Sequence, residues 1–129
     1  MQNSIKLLSS FIIVLFIASF NLYHSEAQDG LIEIPSLDIH SEIVPLYIRE
    51  FSYGTTWDTR PLVNTVGYLT GTSWFGSNGN IVLGGHSELA QRQPDVFYNL
   101  DDIEVGAMIH INANNTTYNY VVASLEWVV

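Results

Sequence analysis

The sequence predicts an all-β domain with one short helix, preceded by a hydrophobic N-terminal segment. Three observations carry that expectation. Beyond residue 28, short apolar runs alternate with turn residues, the pattern of many small strands. Leu7 to Tyr23 is apolar apart from Ser9, Ser10, Ser19 and Asn21, and shows no amphipathic period. Aromatic residues are plentiful (3 Trp, 7 Tyr and 6 Phe) while charged residues make up 13%, unlike a disordered chain.

The elements follow in order. Residues 1–27 hold the hydrophobic run behind a single lysine, Lys6. The run is a little short of the roughly 20 residues that span a hydrocarbon core as a helix. It is also of signal-peptide size, and Ser25 and Ala27 put small residues at −3 and −1 of a cleavage after Ala27. A cleaved signal and a retained membrane anchor both remain open, and either exports the rest of the chain. Residues 28–129 form the expected domain, a size that buries a core only marginally. Leu31 to Ile34 reads as a strand stopped by Pro35, and alternation resumes from Leu37 to Val44 before Pro45. Residues 51–64 have no clear period and read as loop, with Trp57 as a packing anchor. Val66 to Leu69 reads as a strand, and Gly71 to Gly79 as a Gly-, Ser- and Asn-rich turn region. Ile81 to Leu83 is a continuous apolar run, the mark of a strand buried on both faces. In Asp95 to Ile103 the spacing of Val96, Leu100 and Ile103 predicts one or two helical turns, with Asp95 as the cap. Met108 to Ile111 and Tyr118 to Leu125 read as a hairpin joined by "NANNTT".

Composition excludes several functions. The formal net charge is −9, and beyond residue 28 Arg49, Arg60 and Arg92 are the arginines and no lysine occurs. A phosphate backbone needs a basic stripe, so nucleic acid is not an expected partner. There is no cysteine, hence no disulfide, thiolate metal site or thiol nucleophile in these 129 residues. The four histidines lack the spacing of a zinc site, and neither a metal nor another cofactor is expected.

His86 is the leading candidate for chemistry. It follows Gly84 and Gly85 at the end of the apolar run, where residues without a Cβ admit positive φ or the close approach of another group. An imidazole placed there suits general acid–base work; a turn histidine bonded to backbone is the plainer alternative. His24 lies in the targeting segment, His40 in a polar stretch, and His110 alternates with Ile109 and Ile111 so as to point off one sheet face. Asp101, Asp102 and Glu104 read as solvated surface, and Asp58 and Arg60 as a local salt bridge.

Four blocks in order, "LIEIPSLDIHSEIVP", "TWDTRPLVNTVGYLTGTSWFGSNGNIVLGGHSEL", "PDVFYNLDDIEVG" and "YNYVV", resemble the sortase family of exported bacterial transpeptidases, with the nearest likeness to class D and E sequences. The likeness covers about residues 31–125. It implies a sortase-type β-barrel, incomplete here, and makes His86 the position matching the family's catalytic histidine. It further implies a cysteine that attacks a C-terminal sorting signal, a thioester, and transfer to a cell-wall or pilin amine, with an arginine steadying the carbonyl oxygen. In the family the cysteine and arginine lie downstream of the residues matched here, and neither Arg60 nor Arg92 matches the arginine position. Ala107 also departs from the aspartate common after the glycine. The resemblance therefore implies the front part of such an enzyme, membrane-anchored or secreted, inactive by itself and poorly folded because unpaired strand edges are left open. A different class of reading is a non-catalytic exported β-domain that binds peptide or glycan through Trp57, Trp74, Tyr98 and Tyr118, or an anchored spacer.

Overall fold

The computed structural model describes residues 29–127; the signal or anchor expected over residues 1–27 lies outside them. Ten strands occur among the described residues: β1 (Gly30–Ile34), β2 (Ile39–Leu46), β3 (Ile48–Phe51), β4 (Gly54–Trp57), β5 (Val66–Leu69), β6 (Leu83–Gly84), β7 (Glu88–Leu89), β8 (Gln93–Pro94), β9 (Met108–Ala113) and β10 (Thr116–Val121). Six form one curled sheet, in the order β10-β9-β1-β2-β5-β6, which makes part of a barrel. Its neighbours are antiparallel except β2 and β5. β3 with β4, and β7 with β8, make two separate ribbons.

Period-two alternation sets the inner face. β1 turns Ile32 and Ile34 inward and exposes Leu31, while β2 buries Ile39, Ser41 and Ile43 and exposes His40 and Glu42. Register stacks them: Ile34 faces Ile39, and Ile32 lies between Ser41 and Ile111. Val66, Tyr68, Phe75, Ile103 and Ala113 complete the core. Each isoleucine buried this fully stabilises the fold by about 1.5–3 kcal/mol.

Turn chemistry closes the sheet. Pro35 opens a 3-10 turn over Pro35–Leu37, and Asp38 ends it in the left-handed region (φ 53°) with its amide bonded to the Pro35 carbonyl at 3.2 Å. Asn114 and Asn115 take φ of 53° and 57°, a two-residue hairpin turn of the primed kind. The link between β9 and β10 is thus shorter than "NANNTT", because Thr116 and Thr117 pair with Ala113 and Asn112. The Gly-rich segment before β6 closes on itself through Ser73, whose amide bonds the Asn80 carbonyl and whose hydroxyl bonds the Asn78 carbonyl, both at 2.9 Å.

Three further expectations need correction. Residues 51–64 are not all loop: Gly54–Trp57 pairs with Ile48–Phe51 across a two-residue turn, and the Phe51 and Tyr53 rings stack at 5.1 Å. The pairing is short and one-sidedly exposed, so it leaves no hydrophobic period. Ile81 to Leu83 is not a strand buried on both faces. Regular pairing covers only Leu83–Gly84, Val82 is exposed, and Ile81 and Leu83 pack on the core from one side. The predicted helix over Asp95 to Ile103 is a chain of tight turns ending in a 3-10 segment, Leu100–Asp102, in which four amides bond three residues back: Tyr98 to Asp95, Leu100 to Phe97, Asp102 to Asn99 and Ile103 to Leu100. An α-helical span is lost because Asp95 caps nothing there; its side chain is engaged elsewhere, as described below.

Candidate active site

β6 delivers His86 one residue beyond Gly85. Neither Gly84 nor Gly85 has a positive φ. What Gly85 supplies is approach: a Cβ there would lie 2.6 Å from the Phe97 ring and 2.9 Å from Val96. The turn segment after β8 therefore packs directly on the strand end, and two backbone bonds fasten it. The Phe97 amide donates to the His86 carbonyl at 3.0 Å, and the Asp95 amide to the Ser87 carbonyl at 2.9 Å.

The His86 ring is half-buried, with Nε2 3.1 Å from the carbonyl oxygen of Thr59. Thr59 belongs to the segment leaving β4, which is cinched by charge. Asp58 is buried, and its carboxylate accepts two hydrogen bonds from the Arg60 guanidinium, both at 2.7 Å, and one from the Arg60 amide at 3.2 Å. Arg49 stands 3.3 Å from the same carboxylate, and the Arg60 guanidinium lies 5.0 Å from the centre of the Phe51 ring. The expected Asp58–Arg60 bridge is present and two-pronged. Through these bonds Arg60, and less strongly Arg49, hold the Asp58 carboxyl at about 2, below its usual 3.8, against the opposing effect of burial.

A folded-state value below the unfolded one stabilises the fold above about 3.8, and that contribution is lost as pH falls through about 2. The urea midpoint is expected to be insensitive to Asp58 titration at neutral pH and to drop across that acid window. Asp58→Asn is expected to start from a lower midpoint and to lack that part of the drop.

Asp95 provides a second tie. It is buried, and its Oδ1 accepts from the Asn64 amide at 2.6 Å, joining the turn after β8 to the loop before β5. The Asn64 carbonyl in turn accepts from the Ser41 hydroxyl at 3.1 Å. His86 is thus held at the meeting of three segments, 58–64, 83–87 and 95–97.

The other histidines stand apart. His40 is exposed on β2, 3.8 Å from both Glu33 and Asp38, and the Nδ1 of His110 meets Asn119 Oδ1 at 2.6 Å across the β9–β10 pair. His24 lies outside the described residues. Asp101, Asp102 and Glu104 are exposed, as expected of solvated surface. The four aromatics of the binding-module reading do not gather into one platform. Trp74 meets Tyr68 and Phe75 edge-on at 4.8 and 4.7 Å, and Tyr118 stacks on the same Phe75, as core packing; Trp57 and Tyr98 sit on other elements. An open groove of about 860 Å³ runs past Gly85 and Ser87, walled by Phe97, Leu100, Ile109 and Trp127 and by the acids Glu88, Asp101, Asp102 and Glu126. A second groove, about 620 Å³, lies by the β9–β10 turn, and neither groove is lined by a histidine.

Side-chain patterns pointed to His86 and to the Asp58–Arg60 bridge. The Thr59 carbonyl and the tie made by Asp95 were missed, the first because a backbone acceptor leaves no residue-type signature.

A half-buried imidazole thus follows a strand end of a curled, all-β sheet, with its Nε2 against the Thr59 carbonyl. The Sortase domain profile matches residues 32–129, and the chain belongs to the sortase family. Solved structures agree. Sortase A from Corynebacterium diphtheriae is similar at 28% identity over 75% of this chain and 40% of its own, with a TM-score of 0.58. Sortase C-1 from Actinomyces oris is similar at 27% over 82% and 55%, TM-score 0.58. A Clostridium perfringens sortase D5 transpeptidase is similar at 25% over 75% and 53%, TM-score 0.55. The chain spans about half the length of these structures. The likeness extends to sortases designated A, C and D5 and does not single out the class D and E type. No curated protein sequence matched.

Proposed function

We propose that the chain supplies the histidine-bearing part of a sortase-type cysteine transpeptidase, with residues 1–27 as signal or membrane anchor and residues 28–129 as barrel on the outer side of the membrane. The observation that carries the reading is the placement of His86 at the end of β6, held by Thr59 and Phe97, in a chain matched by the Sortase domain over 32–129. The thiol is not among these 129 residues. A thiolate from sequence outside them attacks the scissile carbonyl of a sorting signal; the C–N bond breaks, and the imidazolium of His86 gives its proton to the departing amine. A cell-wall or pilin amine then attacks the thioester, the C–S bond breaks, and His86 takes the proton that the amine loses. The groove past Gly85 and Ser87, lined by both apolar and acidic side chains, has room for an extended peptide or a further strand of the barrel.

The test joins the chain to the cysteine- and arginine-bearing strands of a solved relative, such as the Clostridium perfringens sortase D5. This extended protein is expected to cleave a sorting-signal peptide and join it to an added amine, while the 129-residue chain alone does neither. Equal turnover by the chain alone, or none by a folded extended protein, contradicts the reading.

A further inference from the structure

The contact between His86 and Thr59 bears on which ring nitrogen carries the hydrogen. A carbonyl oxygen has no hydrogen to give, so the 3.1 Å bond exists for a neutral ring only when Nε2 carries the hydrogen. We propose that Thr59, locked in place by Asp58, holds His86 in the Nε2–H form, leaving Nδ1 as the nitrogen that takes up and returns the reaction proton, with Asp58 as a positioning residue. The functional meaning rests on the reading of His86 as acid and base; the protonation of the ring does not.

The lock is built from both sides of Thr59. Its carbonyl also accepts the Leu62 amide at 3.1 Å, which uses one lone pair and leaves the other for the imidazole. The residues on either side, Asp58 and Arg60, are bonded to each other by two short charge-assisted hydrogen bonds, and the Asp58 amide is tied to the Tyr47 carbonyl at 2.9 Å. The peptide between them therefore has little freedom to turn its oxygen away. On the other side the backbone of His86 is fixed by Phe97 and by the contact of that ring with Gly85. The imidazole so acquires a preset orientation and tautomer, the task that a carboxylate performs directly in other acid–base sites and that a carboxylate performs here at one remove.

The test needs no activity. The full chain, labelled with nitrogen-15 and held in detergent micelles, is examined at a pH where its histidine rings are neutral. Two-bond proton–nitrogen correlations identify the protonated nitrogen, with His86 assigned by the loss of its signals in His86→Gln. Free imidazole side chains already favour Nε2–H modestly, so the exchange of that proton with water is read as well. The expected result is a single Nε2–H pattern for His86 with a protected proton. In Asp58→Asn a mixed pattern is expected, with exchange faster by about fivefold or more, the loss of one ordinary hydrogen bond. The His110 ring, bound by Asn119 on the far hairpin, reports in the same spectra that the fold is kept, and it is expected not to change. Hydrogen on Nδ1 of His86 overturns the proposal, as does an unchanged His86 in Asp58→Asn while His110 keeps its pattern. If Asp58→Asn fails to fold, Arg60→Gln, which removes the clamp and keeps the carboxylate, takes its place with the same expectations. Failure of peptide joining in the extended protein bears on the proposed reaction alone, since none of these readings involves it.

Discussion

His86→Ala in the extended protein is expected to lower kcat/KM for peptide cleavage by about 10²–10⁴-fold, the range that a positioned general acid–base group supplies. The loss should fall on kcat with KM little altered, because an imidazole that only moves protons contributes nothing to holding the peptide. The substitution should leave the fold nearly intact. His86 is half-buried and spends its ring on one backbone oxygen, which retains the Leu62 amide when the imidazole is removed. Initial rates across a range of peptide concentrations, with a thermal melt of the same sample, separate these effects. A loss confined to KM would make His86 a binding residue, and a loss accompanied by unfolding would make it a structural one.

Ile43→Ala is expected to be the most damaging of the simple truncations, costing about 2–5 kcal/mol. Ile43 is 1% exposed and sits where three strands meet, opposite Gly30 of β1 and beside Val66 of β5. The parallel β2–β5 junction that it seals connects the β1–β2–β9–β10 half of the sheet to the β5–β6 part that carries His86. Neighbouring backbone is hydrogen-bonded across both sides of β2, so the cavity cannot collapse easily. For a domain of this size such a loss consumes a large share of a total stability that is typically 5–15 kcal/mol. Val82→Ala, by contrast, removes methyl groups from a residue 39% exposed at the sheet edge and is expected to shift stability by about 0.5 kcal/mol or less. Urea midpoints of the two variants measured side by side test the difference. Equal shifts would mean that the described sheet is not the stable core.

The parts of the fold legible in the sequence are those where side chains alternate. Ile32, Ile34, Ile39 and Ile43 announce β1 and β2 because one face is buried and the other wet. Asn114 and Asn115 announce a hairpin because few residues accept φ above zero. The ordered blocks around "NIVLGGH" carried the family, and the apolar run before Gly84 placed His86 just beyond a strand end. Elements fixed by something other than an alternating face were not legible. The β3–β4 ribbon is held by a stacked Phe51–Tyr53 pair and by charge at Asp58, and has no buried side to mark it. Asp95 has the sequence position of a helix cap, yet its carboxylate reaches Asn64, 31 residues away, a partner that no local pattern reveals. Gly85 was open to two explanations, unusual φ or close approach, and only the Phe97 ring against it decides for the second. The acceptor for His86 is a backbone oxygen of Thr59, which any residue at that position would offer.

The most direct measurement of the central claim, that His86 serves a thiol in peptide joining, is the mass of the extended protein after brief exposure to a sorting-signal peptide without an amine acceptor. The wild type should gain the mass of the acyl fragment on its cysteine, and His86→Ala should remain unmodified over the same time. A His86→Ala protein that acquires the fragment as fast as the wild type would contradict the account.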